Sequence, residues 1–281
     1  MSTMSATRVM FRLEMAEAIR SRWFVFTAAV YGVIFALFVW LGLRESAILG
    51  FTGVSRVVRN VSNAVVLTVP LVALVATSQT VVRARQSGFF ELMLSQPVRR
   101  EQWFAGVVLS RLVVVAGPLV ALLFAALAFG AASGAHDAAL VPVVLRCILV
   151  TVSLAWCFTG VGFWISAASR AAERATVLAL LAWVMAIAIH DFALIGVLLR
   201  VRLAPSAVFL LAAANPVEAA RIAILGAVDP DLSVLGPVGF WLANRLGPSL
   251  TLAVGAGWPA LLGTFALYRA ERRLAKADLA L

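Results

Sequence analysis

The sequence is short of nearly everything a soluble enzyme uses. Only 13% of its residues are charged and 63% are hydrophobic, against roughly 45–50% apolar residues in soluble domains. That balance excludes a water-solvated globule, and it excludes disorder, because so apolar a chain would not stay open in water. There is one lysine, Lys276, near the C-terminus. A Walker A loop needs its lysine inside G-x-x-x-x-G-K-[ST], so the chain does not bind ATP in that way. No GxGxxG, HExxH or GxSxG occurs, and two histidines, His136 and His190, cannot make a histidine-rich metal site. Cys147 and Cys157 stand ten apart in one apolar stretch without CxxC spacing and read as packing residues. The methionines are scattered, with only Met185 deep in an apolar run, which argues against a soft-metal path. The expectation is a chain that is not an enzyme and carries no cofactor or metal of its own.

What the sequence has is apolar length. Crossing about 30 Å of hydrocarbon at 1.5 Å per residue takes about 20 residues. Six runs meet that need: Trp23 to Leu43, Ala64 to Val82, Ala105 to Ala132, Cys147 to Ala167, Thr176 to Leu199 and Leu250 to Tyr268. The first is longer than a signal-peptide core and is read as a retained span. The fold class expected is therefore an all-α polytopic membrane protein with six transmembrane helices, in a single domain over residues 1–281.

The net charge of +10 comes almost wholly from arginine. In a membrane protein it needs no nucleic acid, since basic residues anchor cytoplasmic loops and meet anionic lipid. With the N-terminus inside, the cytoplasmic side receives Arg8, Arg12, Arg20, Arg22, Arg83, Arg85, Arg99, Arg100, Arg170, Arg174, Arg269, Arg272, Arg273 and Lys276. The outer side receives Arg44, Arg56, Arg59, Arg200, Arg202, Arg221 and Arg245. Both termini are expected in the cytoplasm.

Within residues 1–22, Val9, Met10, Leu13, Ala16 and Ile19 recur at steps of mostly three and four, with Arg8, Arg12, Glu14, Arg20 and Arg22 between them. This predicts an amphipathic helix on the cytoplasmic membrane surface. The outer segment 200–247 holds Ala207 to Ala214, too short to span, and then Asn215-Pro216-Val217-Glu218. Asn as N-cap, Pro at the first helical position and Glu at the third make a helix start, and Gly226 is the expected stop. Two short outer helices before the last span are predicted, with residues 269–281 as a cytoplasmic tail.

Ionisable groups inside a membrane are costly and are functional candidates by default. Here they are Arg146, His190 and Asp191, with Arg111 expected to snorkel from the third span. An Arg146–Asp191 ion pair between consecutive spans, or a substrate or proton role for His190 and Asp191, are the readings left open.

The cytoplasmic loop 83–104 contains Gln86-Ser87-Gly88-Phe89-Phe90-Glu91-Leu92-Met93-Leu94-Ser95-Gln96-Pro97-Val98-Arg99-Arg100. It resembles the coupling loop of ABC-2 type permeases. The amphipathic N-terminal helix, six spans and paired outer helices match the same plan. The resemblance implies the membrane half of a transporter, a second copy of the permease, and two cytoplasmic ABC ATPase subunits that hold ATP and Mg. It implies ATPase coupling through Gln86, Gly88, Phe89, Glu91, Leu92, Met93, Leu94, Pro97, Arg99 and Arg100. On the residues alone, Leu92, Met93 and Leu94 form an apolar knob with charged rims that suits a socket on a soluble partner. Within the family, Gly50-Phe51-Thr52, the Asp in span five and Asn215-Pro216 look most like the permeases of nitrous-oxide-reductase maturation. That likeness implies an inner-membrane protein working with a periplasmic accessory partner toward a copper-sulfur centre. Two rivals remain: a proton-coupled secondary transporter using His190 and Asp191, which would carry an inverted repeat, and a transmitter that moves a periplasmic partner without passing substrate.

Overall fold

The computed structural model describes residues 3–20, 25, 28–33, 36–37, 54–95, 98–132, 140–229, 232 and 235–276. These residues form helices and turns and no strand. In chain order the helices are α1 Thr3–Arg20, α2 Val54–Thr77, α3 Thr80–Gln86, α4 Phe89–Leu94, α5 Arg100–Ala132, α6 Leu140–Ala168 and α7 Ala172–Val184. A π-helical turn, Met185–Ile189, joins α7 to α8 His190–Arg200, and α9 Pro205–Ala213, α10 Pro216–Val228, α11 Gly236–Arg245 and α12 Gly247–Lys276 complete the chain.

Among the described residues, five helical stretches are long and apolar enough to cross a membrane: Ala64–Gln86, Arg100–Ala125, Val141–Ala168, Ala172–Arg200 and Gly247–Ala275. They correspond to expected spans two to six. The expected first span, Trp23 to Leu43, lies largely outside the described residues; its described pieces are helical, and Tyr31 is buried in the main core. The chain is an all-α, multi-pass membrane protein.

Helix α6 is the centre of the bundle, packed against α2, α5, α10 and α12. Its apolar side chains Val150, Leu154 and Phe158 meet Val66, Val69 and Leu74 of α2, Val115 and Leu119 of α5, and Ile224 of α10. Lipid gives helices no hydrophobic reason to associate, so close van der Waals contact between small residues carries more of the packing. Helices α6 and α12 cross at Gly160 and Gly263, where a Cβ on Gly263 would lie 2.7 Å from Cys157 Cα. Trp156 Nε1 donates to Thr264 Oγ1 at 3.0 Å beside this crossing, and Ser153 Oγ donates to the Ala256 carbonyl.

Span five is different. Only 6% of its apolar window is buried, against 39–56% in the other four, so it lies on the rim, held to α2, α3 and α6 through α7 and to α10 at the π-turn. After it, α9 and α10 meet at a bend of 118°. Asn215 caps α10 as expected, its side chain accepting from Val217 N at 2.9 Å. Two expectations for this segment need correction. Gly226 does not stop α10, which continues to Val228, and Gly226 instead sits buried facing Leu232 and Thr251. A third short helix, α11, follows, started by Gly236 in the left-handed region (φ 57°) with Pro237 in the first turn.

Candidate coupling surface and polar cluster

Span two does not run straight into its loop. Helix α2 ends at Thr77, whose Oγ1 donates back to the Ala73 carbonyl at 2.6 Å. After Ser78 and Gln79 a new helix, α3, begins. Its first amide donors would be orphans at a buried helix start; the Ser166 hydroxyl of α6 accepts from Val81 N at 2.9 Å and from Val82 N at 3.2 Å. Gln79 Nε2 reaches Thr176 Oγ1 on α7, Arg85 Nη1 donates to the Ala167 carbonyl at 3.2 Å, and Gln86 Nε2 donates to the Arg170 carbonyl at 3.3 Å. The turn is thereby fastened to the α6–α7 connection.

Gly88 then reverses the chain with φ 70° and ψ 8°, a conformation that L side chains rarely adopt. Helix α4 follows at once. Its buried side, Phe90 and Met93, enters an aromatic nest: the rings of Phe90 and Trp103 stand 4.9 Å apart at 78°, and Phe104 meets Phe163 at 5.4 Å. Phe89 leans on Trp103 at 6.0 Å. Leu92 points away and is 68% exposed.

The expected knob is therefore narrower. Met93 is a packing residue, because one turn of helix places residues 90 and 93 on the same side and 92 on the other, and Phe89 is half-buried against Trp103. Arg100 also turns inward, its Nη1 3.4 Å from the Leu274 and Ala275 carbonyls at the end of α12, a favourable place for a cation. Gln86, Ser87, Leu92, Ser95 and Arg99 stay exposed. Pro97 and the side chains of Glu91 and Leu94 lie outside the described residues.

Helix α1 lies along α5. Gly106 lets the two approach so closely that a Cβ there would stand 2.9 Å from Met10 Cβ. Below it, Glu14 Oε2 lies 3.6 Å from Arg111 Nη2, the two side chains only 12% and 21% exposed. Arg111 does not snorkel; it is turned to this carboxylate. Burial pushes the Glu14 carboxyl above the usual carboxylate range, and the neighbouring guanidinium opposes that rise. Val9, Leu13 and Ile19 of α1 are about half exposed, so an apolar stripe on α1 stays uncovered.

A second polar group lies at the opposite end of the bundle. Asp191 does not pair with Arg146: the cation beside it is Arg221 of α10, Nη1 to Oδ2 3.5 Å. The same Nη1 lies 2.7 Å from Glu218 Oε1, one turn earlier on α10. His190 Nδ1 is buried without a hydrogen-bond partner among the described residues. Just before them, Asn215 Nδ2 donates to the Ala186 carbonyl inside the π-turn. Arg146 sits half-buried in the second turn of α6. The expected Arg146–Asp191 pair takes consecutive spans as nearest neighbours, whereas α10 folds back and brings Arg221 to Asp191. The spacing of Glu218 and Arg221, three apart on a capped helix, was the available signal.

Residues 8–233 match the family described as ABC-2 family transporter protein. The chain is similar to a protein of Stutzerimonas stutzeri named "Probable ABC transporter permease protein NosY", 24% identical over 89% of this chain and 90% of that protein. It is also similar to a protein of the same name from Pseudomonas aeruginosa, 27% identical over 88% of this chain and 94% of that one. With its multi-pass helical bundle, the chain belongs to the ABC-2 family of transporter proteins, as a permease subunit of an ABC transporter.

Proposed function

We propose that two copies of this chain form the membrane pathway of a transporter powered by two cytoplasmic ABC ATPase subunits, which bind the ATP and Mg. Both termini and the α3–α4 turn face the cytoplasm of the inner membrane. Closure of the ATPase dimer pushes on that turn and on α1, and the pathway opens between the two copies toward the outer side. The observation that carries this reading is the α3–α4 turn: it is anchored from beneath by Phe90 and Met93 while Leu92 is left 68% exposed beside Gln86, Ser95 and Arg99. A rigidly mounted leucine with a polar rim suits a socket on a soluble partner. The likeness to two NosY permeases supports service in assembling the copper-sulfur centre of nitrous oxide reductase, with a periplasmic accessory protein as a further partner.

The test is Leu92→Asp in the tagged chain, co-expressed with its ATPase and nitrous oxide reductase. The variant should insert normally, lose ATPase from the purified complex, and leave the reductase without its copper-sulfur absorption. Unchanged ATPase recovery would remove the turn from the interface. Lost ATPase with an intact copper centre would remove the maturation role.

A further inference from the structure

Two tethers join α10 to span five, one inside the π-turn and one just after it. One is Asn215, whose amide carries two tasks: Oδ1 caps α10 and Nδ2 takes the Ala186 carbonyl. A π-turn replaces the i→i+4 bonds by wider i→i+5 ones and is frequent at functional sites, and here its Ala186 carbonyl also takes an outside donor. The other tether is Arg221, shared between Asp191 on span five and Glu218 on its own helix. Beyond these two, little of span five is buried. Its attachment to the bent pair α9–α10 thus rests heavily on a few polar contacts.

The charges do not balance. One guanidinium faces two carboxylates through a single nitrogen. The other ionisable residues on the surrounding elements are His190 beside Asp191, Arg200 at the end of α8 and Arg202 just past it, Asp229 at the C-cap of α10, Arg245 on α11, Arg146 on α6, and Arg56 and Arg59 on the first turns of α2. Those of α12 begin at Arg269, near its other end. Among the described side chains, Arg221 is the cation paired with Asp191 and with Glu218.

We propose that Asp191, Glu218 and Arg221 form a proton-operated latch that holds the bent pair against the π-turn of span five. Three protonation states are accessible to the two acids. With one proton on the pair, the cluster is neutral and Arg221 bridges two helices at full strength. Losing that proton leaves a carboxylate without a counter-charge and sets two like charges against each other. Gaining a second leaves Arg221 alone. Either change weakens the bridge, so the latch is tightest at intermediate pH, and the two limbs belong to the pair rather than to one residue. Asp191, one third exposed, gives protons a way in.

The latch regulates the proposed transporter but does not depend on which cargo or ATPase it uses. It can be read in the full chain alone, in lipid nanodiscs, with Cys147 and Cys157 replaced by alanine. Spin labels at Phe192 and Leu210, 74% and 69% exposed on opposite sides of the joint, report the distance between span five and α9. A scan from about pH 4 to about pH 9 covers the range that partly buried carboxyls reach. The expected result is a narrow distance distribution at intermediate pH whose narrow component is lost at both ends of the scan. Glu218→Gln, locked neutral, should keep the narrow component at the alkaline end. Asp191→Asn should lack it at every pH, and His190→Gln should leave the profile in place. A wild-type distribution that ignores pH would overturn the latch, as would an alkaline limb that survives Glu218→Gln or a profile that vanishes with His190→Gln. If Asp191→Asn fails to fold, the Glu218→Gln arm still decides.

Discussion

The contact between α6 and α12 makes a prediction whose size and sign follow from the coordinates. A methyl group on Gly263 would lie 2.7 Å from Cys157 Cα, 2.7 Å from Trp156 Cδ1 and 2.8 Å from the Trp156 carbonyl oxygen, against 3.4–4 Å for ordinary contact. Two of these atoms are backbone and cannot rotate away. The helices must separate by several tenths of an ångström or more. Overpacking of this kind costs about 1–3 kcal/mol. Separation also strains the Trp156–Thr264 and Ser153–Ala256 hydrogen bonds, worth about 1 kcal/mol each. Replacing a helical glycine by alanine returns up to about 1 kcal/mol, so Gly263→Ala should cost a net of about 2–3 kcal/mol. At roughly 2–4 °C per kcal/mol for a chain of this size, the melting temperature in detergent should fall by about 4–12 °C. Gly257, on the same helix, has nothing within 4 Å of its would-be Cβ; Gly257→Ala should leave the melting temperature unchanged or raise it. Equal effects at the two positions would refute the close crossing.

The Glu14–Arg111 pair should behave as a unit. Arg111→Met should cost about 3 kcal/mol by stranding a buried carboxylate, and adding Glu14→Gln should recover much of it; additive losses in a double-mutant cycle would deny the coupling. The pH dependence has a definite sign. Because the folded-state affinity of Glu14 for its proton is raised, its contribution is present below the ordinary carboxylate range and lost as pH rises through the raised value. Melting curves of Glu14→Gln should lack that decline. Ser166→Ala removes the acceptor for two amides of α3 and should lower stability by about 2 kcal/mol, with a matching drop in ATP-driven activity; a silent variant would mean that α3 is held elsewhere. At Asn215, Asp keeps the cap oxygen but loses the amide donor, so Asn215→Asp should fall between wild type and Asn215→Ala in thermal stability; indistinguishable variants would deny the tether to Ala186.

The spans were legible because lipid imposes a length, and five of the six apolar runs can be followed in the described residues. Their ends were less legible, for one repeated reason. Arg146 was read as the outer edge of span four, yet α6 begins at Leu140; Arg56 and Arg59 were read as loop, yet α2 begins at Val54. A charge marks where a side chain prefers water, not where the backbone stops being helical. The N-cap at Asn215 was readable because its chemistry is local. The partner of Asp191 was not, because it depends on α10 folding back at a bend of 118°. At the α3–α4 turn six residues of helix sort into two sides, and only the fold shows that Phe90 and Met93 are roots and Leu92 the tip.

The break between α2 and α3 has a mechanical consequence. A continuous helix would be a stiff rod, delivering force at the turn straight along span two. Here the helix is interrupted by a turn at Ser78–Gln79, and the stretch beyond it is fastened to α6 through Ser166 and Arg85. In the transporter proposed above, load applied at Leu92 is diverted sideways into α6, and from there into α12 across a close glycine crossing. Span two becomes the compliant member and the α6–α12 pair the stiff one, so a stroke at one end of the bundle moves that pair as a single beam.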